Sequence, residues 1–120
     1  MGRKTLETLT ESMFYVLMAL LHRPRCGTEI ADFVSAITQN RVRLGPGTLY
    51  TILAKFEEER LIRETAVEGR KRTYALTDTG LERYQEEIAR LRSCLVDAEQ
   101  EARRDEQDGT KVLPGGCPQF

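Results

Sequence analysis

The side chains best suited to chemistry in this chain are hydroxyls and cations, and they gather in two short segments. Thr48, Tyr50, Thr51 and Lys55 follow directly on Pro46-Gly47, and Arg70-Lys71-Arg72 comes after a run of partly alternating residues. Hydroxyls donate to phosphate oxygens, lysine and arginine neutralise them, and a tyrosine ring can lie on a sugar or a thymine methyl. These residue types therefore point to recognition of nucleic acid. Catalysis has far less to work with. His22 is the only histidine, and no acid or thiol partner for it is apparent. There is no phosphate-binding glycine loop, no nucleophile elbow and no metal-ligand cluster. The pair Glu86-Glu87 lies in a helix of mixed charge and reads as solvated. The expectation is a protein that is not an enzyme and takes no cofactor or metal.

The elements that must position these side chains can be read from the same stretch. Proline at a first helical position needs no amide donor, and its backbone angle already suits a helix. A helix is therefore predicted from about Pro46 to Glu59, with Leu49, Ile52, Leu53 and Phe56 as one apolar stripe. Gly47 keeps the first turn bare for close approach by a large partner. Tyr50 lies off the stripe, free to touch DNA, although a tyrosine can also bury its ring and leave the hydroxyl wet. The acidic run Glu57-Glu58-Glu59 would repel DNA, so only the front of this helix is expected in a groove.

Upstream, Thr10 can cap a first helix whose buried side carries Met13, Phe14, Leu17, Leu20 and Leu21, with Pro24 closing it. Gly27-Thr28-Glu29 opens a second helix, with Ile30, Phe33, Val34 and Ile37 inward and Thr28 near the exposed start. Arg41 and Arg43, in the turn before the third helix, are phosphate clamps or free surface arginines. Arg3 and Lys4 are a minor-groove arm or a charged terminus. Two helices joined by a turn, the second with a glycine-rich start, fit a helix-turn-helix. After Leu61 the period changes: 62–67 and 72–76 read as strands around the turn Glu68-Gly69-Arg70-Lys71, which makes a basic wing.

Thr77 can cap a last helix, from which Leu81, Tyr84, Ile88, Leu91, Leu95, Ala98 and Ala102 recur with spacings alternating three and four. A helix of about 25 residues is roughly 37 Å long at 1.5 Å per residue, more than one small domain can cover. The expected cover is a second copy of the chain, through Leu81, Tyr84, Ile88, Leu91, Leu95 and Ala98. A dimer would also supply two reading heads for a palindromic site.

Composition sets the bounds. The chain has 120 residues and a formal net charge of -1, which alone gives no support to nucleic-acid binding. Through residue 80 there are twelve Lys/Arg against ten Asp/Glu, and six against nine after it. Only local patches can attract phosphate. The run from Met13 to Leu21 is far too short to cross a bilayer, so no membrane partner is expected. Cys26, Cys94 and Cys117 are an odd set with no metal-ligand spacing, read as reduced thiols of a cytoplasmic protein.

Taken in order, Pro46-Gly47-Thr48-Leu49-Tyr50, then Leu53, Phe56, Leu61-Ile62, and finally Tyr74-Ala75-Leu76-Thr77-Asp78-Thr79-Gly80 resemble the PadR family of bacterial transcriptional regulators. The resemblance runs from about Thr10 to Gly80, and the short last helix is similar to the smaller PadR subfamily. It implies a winged helix-turn-helix, a dimer built on the C-terminal helix, and in most members repression. It also implies operator contacts from Thr48, Tyr50 and Lys55 and from Arg70 to Arg72, and in some members a flat aromatic effector near the dimer interface. Arg60 stands where the family commonly has glycine, and the tryptophan that drug-binding members use is absent from this chain. Phe14, Tyr15 and Tyr84 are the rings left to line a small effector pocket.

The expected fold is mainly α with a small β-hairpin: an N-terminal arm (1–9), a winged helix-turn-helix (10–77), a dimerisation helix (78–103) and a flexible tail (104–120). The expected function is a homodimeric, ligand-responsive repressor on a palindromic duplex operator. Its expected DNA contacts are Thr28, Arg41, Arg43, Gly47, Thr48, Tyr50, Thr51, Lys55, Arg70, Lys71 and Arg72. The alternative is a protein-docking module.

Overall fold

A computed structural model describes residues 8–107. Helix α1 spans Glu11–Ala19, and the Met13 amide donates to the Thr10 hydroxyl at 3.1 Å. A cap of this kind contributes about 1 kcal/mol. Leu9, just before the cap, is 5% exposed. Apolar residues preceding an N-cap commonly pack on the helix they introduce. Arg3, Lys4 and the rest of that arm through residue 7 lie outside the described residues, as do Cys117 and the expected tail beyond Gln107.

A two-residue strand β1 (Arg25–Cys26) precedes α2 (Gly27–Ile37). Arg25 joins the elements around it: its Nε donates to the Ala19 carbonyl at 2.6 Å, and its guanidinium lies 4.8 Å from the Phe33 ring centre. Ile37, expected inward, is exposed at the last turn of α2. There the backbone turns sharply, with Gln39 and Asn40 in the left-handed region at φ 54° and 65°. The buried Thr38 stitches this turn: its hydroxyl donates to the Val34 carbonyl at 2.7 Å and accepts from the Val42 amide at 3.0 Å.

Helix α3 spans Pro46–Glu58 with proline in its first turn, and buries Leu49, Ile52, Leu53 and Phe56. Phe56, Leu17, Ile30, Leu53, Val16 and Val34 are the largest sealed side chains, so the core lies among α1, α2 and α3. Arg60, at the position where the family commonly has glycine, takes φ 63°. A side chain in that region costs about 1 kcal/mol or more, which is the physical reason glycine suits it.

Strands β2 (Ile62–Glu68) and β3 (Lys71–Leu76) form the wing, and β1 pairs on the far side of β3 to give an antiparallel sheet of order β1-β3-β2. The hairpin closes between the paired Glu68 and Lys71, with Gly69 at φ 64°. A glycine of positive φ opening a two-residue loop matches the right-handed twist of the strands it joins.

Helix α4 spans Asp78–Gln107, past the expected end at 103. Thr77 fixes its start. The Thr77 hydroxyl donates to the Arg60 carbonyl at 2.7 Å and accepts from the Gly80 amide at 3.0 Å. The Thr77 amide donates to the Leu61 carbonyl at 3.0 Å. At Gly80 a Cβ would fall 2.1 Å from the Leu61 carbonyl oxygen, a distance only glycine avoids. The Thr-Asp-Thr-Gly run is thus a cap plus a close approach.

The chain divides into two compact units, through Glu87 and from Ile88 onward. In the first, Tyr84 is buried with its ring stacked on Phe14 at 5.2 Å, so this member of the expected dimer seam packs in its own unit. Leu81 is half-buried there. Glu87, read as solvated, is 3% exposed and is held by interactions with neighbouring groups. A carboxylate tolerates such burial only with partners. In the second unit Leu91, Leu95 and Ala98 are all exposed, together with Val96.

Candidate nucleic-acid interface

Every residue expected to touch DNA is exposed, from Thr28 through Arg41, Arg43, Gly47, Thr48, Tyr50, Thr51 and Lys55 to Arg70, Lys71 and Arg72. Tyr50 is the clearest case at 62% exposure, although it neighbours the buried Leu49 and Ile52. The apolar stripe holds α3 to the core and leaves Tyr50 outside. Gly45 and Gly47 have nothing within 4 Å of where a Cβ would stand, so the first turn of α3 is bare as expected.

Five of these residues come together. Thr28, Tyr50, Arg70, Lys71 and Arg72 line one cleft of about 600 Å³ between the start of α2, the front of α3 and the wing. The pairing that makes the cleft is long-range: Arg25 sits opposite Tyr74 and Cys26 opposite Thr73, which draws the base of the wing against the start of α2. The remaining wall, which the sequence did not mark, comes from Cys26, Gly27, Glu29 and Tyr74. Glu29 was visible only as a helix-opening residue. It accepts from the Cys26 amide at 2.9 Å, and the bonds from Cys26 hold its carboxyl below the usual carboxylate range. Burial pushes the Tyr74 phenol up.

Other candidates are engaged by the protein. Arg41 pairs with Glu11 and donates to the Tyr15 hydroxyl at 3.0 Å, which ties the turn before α3 to α1. Arg72 pairs with Glu64 across the wing. The Thr51 hydroxyl donates to the Gly47 carbonyl at 3.0 Å, leaving its methyl and oxygen lone pairs for a partner. Arg43, Thr48 and Lys55 are exposed outside the cleft wall. Phe14, Tyr15 and Tyr84 do cluster, but as rings packed on one another: Phe14 meets Tyr15 edge-on at 5.8 Å and Tyr84 face-on at 5.2 Å.

Among the described residues no group of histidine, cysteine, aspartate and glutamate could hold a metal ion, and no helix is long and apolar enough to cross a membrane. Three packed helices, a basic hairpin wing and an outward-facing second helix of a helix-turn-helix define a DNA-binding transcriptional regulator of the winged-helix class. The profile of the PadR-like transcriptional regulators matches residues 16–86, and the chain belongs to that family. It is a family of regulators, not of enzymes. The fold is shared with a transcriptional regulator from Clostridium thermocellum (TM-score 0.67, 21% identity, covering 74% of this chain and 87% of that one). It is shared too with a PadR family regulator from Clostridium difficile R20291 (TM-score 0.66, 19% identity, 78% and 99% covered). The chain is also 37% identical over 84 residues to an uncharacterized 37.1 kDa protein in transposon TN4556 of Streptomyces fradiae. That stretch is 68% of this chain and 24% of the transposon protein, so the chain spans about a quarter of the curated relative it matches.

Proposed function

We propose that the winged unit grips duplex DNA with the front of α3 in the major groove and the Arg70–Arg72 turn along the flanking backbone or minor groove. The observation that carries this reading is the cleft geometry: Tyr50 and the wing cations belong to different elements yet border one opening. Thr48 and Tyr50 meet base edges or sugars, and Thr28, Arg43, Lys55, Arg70 and Lys71 meet phosphates. Arg41 and Arg72 contribute by holding the turn and the wing in place as well as by charge.

In this reading two copies pair through Leu91, Leu95 and Ala98, present two reading heads to a palindromic operator, and repress by excluding polymerase in the cytoplasm. Relief comes from an effector. An effector at Phe14, Tyr15 and Tyr84 has to part rings already packed on one another, Tyr84 face-on and Tyr15 edge-on to Phe14.

Binding to duplex DNA from upstream of the chain's own gene, followed by fluorescence anisotropy across a salt series, tests the reading. Changing Arg70 and Lys71 together to alanine is expected to lower the salt slope by about 0.9 for each phosphate the two side chains neutralise. An unchanged slope removes the wing from the interface, and no duplex binding at all favours the protein-docking module.

A further inference from the structure

Arg41 and Arg43 flank the buried Val42 in the turn that leads into α3, and the fold treats them differently. Arg43 is exposed and has no ion pair or ring contact among the described residues. Arg41 is exposed as well, yet it is held at both ends. Its amide donates to the Thr38 carbonyl at 3.0 Å, inside the turn that Thr38 stitches. One terminal nitrogen of its guanidinium pairs with Glu11, and the other donates to the Tyr15 hydroxyl at 3.0 Å. The guanidinium carbon lies 5.9 Å from the Tyr15 ring centre, within reach of a cation–π contact.

The side of α1 that receives Arg41 is itself fixed. Tyr15 is half-buried and meets Phe14 edge-on at 5.8 Å, and Phe14 is stacked on the buried Tyr84 at 5.2 Å. A phenol with a packed ring keeps its hydroxyl in one place. Arginine loses much rotamer freedom when a partner immobilises it, and a side chain already held has less to lose on binding. The two partners of Arg41 differ in what they do to its charge. The Tyr15 hydroxyl is a neutral acceptor and leaves the cation whole. The Glu11 carboxylate cancels it, in a pair whose side chains are 58% and 59% exposed, where water screens the attraction. Phosphate offers a guanidinium the same bidentate geometry as a carboxylate. A guanidinium also has more N–H donors than these two acceptors occupy, so a phosphate can bond it without dislodging Tyr15.

We infer that Tyr15 is a positioning residue for DNA binding: it presets Arg41 for a backbone phosphate, and Glu11 occupies the guanidinium in the free protein until that phosphate takes its place. The inference rests on the DNA reading above and adds two residues of α1 to it. Tyr15 acts through Arg41, not by touching the duplex. The two partners therefore have opposite effects: removing the Tyr15 oxygen weakens binding, and neutralising Glu11 strengthens it. Simple loss of packing would weaken binding in both cases.

The test is fluorescence anisotropy of the full chain on the same upstream duplex, with thermal unfolding of each variant. Tyr15→Phe keeps the ring against Phe14 and removes one oxygen. It is expected to weaken duplex binding about threefold with an unchanged thermal midpoint, because the lost bond is exposed to solvent. In an Arg41→Ala background the same change is expected to leave affinity where it was. Arg41→Ala is itself expected to lower the salt slope by about 0.9, the loss of one phosphate contact. Glu11→Gln is expected to tighten duplex binding about threefold. Its thermal midpoint is expected to fall slightly, since a carboxylate in the first turn favours α1. Full affinity in Tyr15→Phe, or an equal loss in the Arg41→Ala background, overturns the positioning role. An unchanged slope in Arg41→Ala, or no tightening in Glu11→Gln, overturns the displacement by phosphate. An unaltered chain that binds no duplex sinks the DNA reading and this inference together. A chain whose salt slope falls when Arg70 and Lys71 are changed, but whose affinity ignores Tyr15→Phe, loses this inference alone.

Discussion

Leu53 and Leu95 are the same side chain at apolar positions of two amphipathic helices, and they end in opposite surroundings. Leu53 is 1% exposed in the core of the unit that ends at Glu87, whereas Leu95 is 59% exposed in the unit that follows. Full burial of a leucine is worth about 1.5–3 kcal/mol. The first unit realises that gain within a single chain. The second realises it only if something covers Leu91 and Leu95. Periodicity therefore names the apolar face of a helix and is silent about what lies against it. Helix α4 shows both outcomes along one seam: Tyr84 is buried by Phe14, and two turns further on the same seam is bare.

The contrast can be broken by substitution, beginning with the largest effect. Gly80→Ala sets a Cβ against the Leu61 carbonyl, a backbone group already held by the Thr77 amide. It is expected to destabilise the first unit by about 3 kcal/mol or more in chemical denaturation. Leu91→Asp is expected to leave the unfolding midpoint of the winged unit in place while sedimentation shifts from dimer to monomer. A winged unit that unfolds with Leu91→Asp, or a dimer that survives it, ends the contrast. Tyr50→Ala belongs to neither apolar surface. It is expected to weaken duplex binding about tenfold, roughly 1.4 kcal/mol, with stability changed by less than about 0.5 kcal/mol. Loss of stability without loss of DNA affinity would make Tyr50 a packing residue. The smallest effect runs the other way: Arg60→Gly is expected to raise stability by up to about 1 kcal/mol, because Arg60 takes a left-handed backbone angle that glycine adopts without strain.

The parts of this molecule that could be read in advance are those whose physics is local. Thr10 and Thr77 cap helices through bonds to amides three residues on, and Pro46 opens α3 by its own ring. Gly69 turns the wing over two residues. Each is visible within a few positions of sequence. The outward placement of Tyr50 and the wing cations also followed from the stripe and the turn. What escaped notice depends on partners far along the chain. Strand β1 has two residues, too few to show a period, and exists because Tyr74 and Thr73 arrive beside it. The same pairing brings Cys26, Glu29 and Tyr74 into the cleft wall, and no spacing in the sequence records it. Leu9, Thr38 and Glu87 were misjudged or passed over for a related reason, since a residue's polarity does not say whether the fold will enclose it.

The knot at Thr77 also restricts how relatives of this chain can differ in length. Added residues at the Gly69–Arg70 tip lengthen the wing without disturbing either end of it. Between Leu76 and Gly80 there is no such latitude. Deleting one residue there rotates everything after it by about 100° around the helix, and a side chain then stands where Gly80 now clears the Leu61 carbonyl. Insertions and deletions among homologues are thus expected to collect at the hairpin tip, while the interval from Thr77 to Gly80 keeps its count.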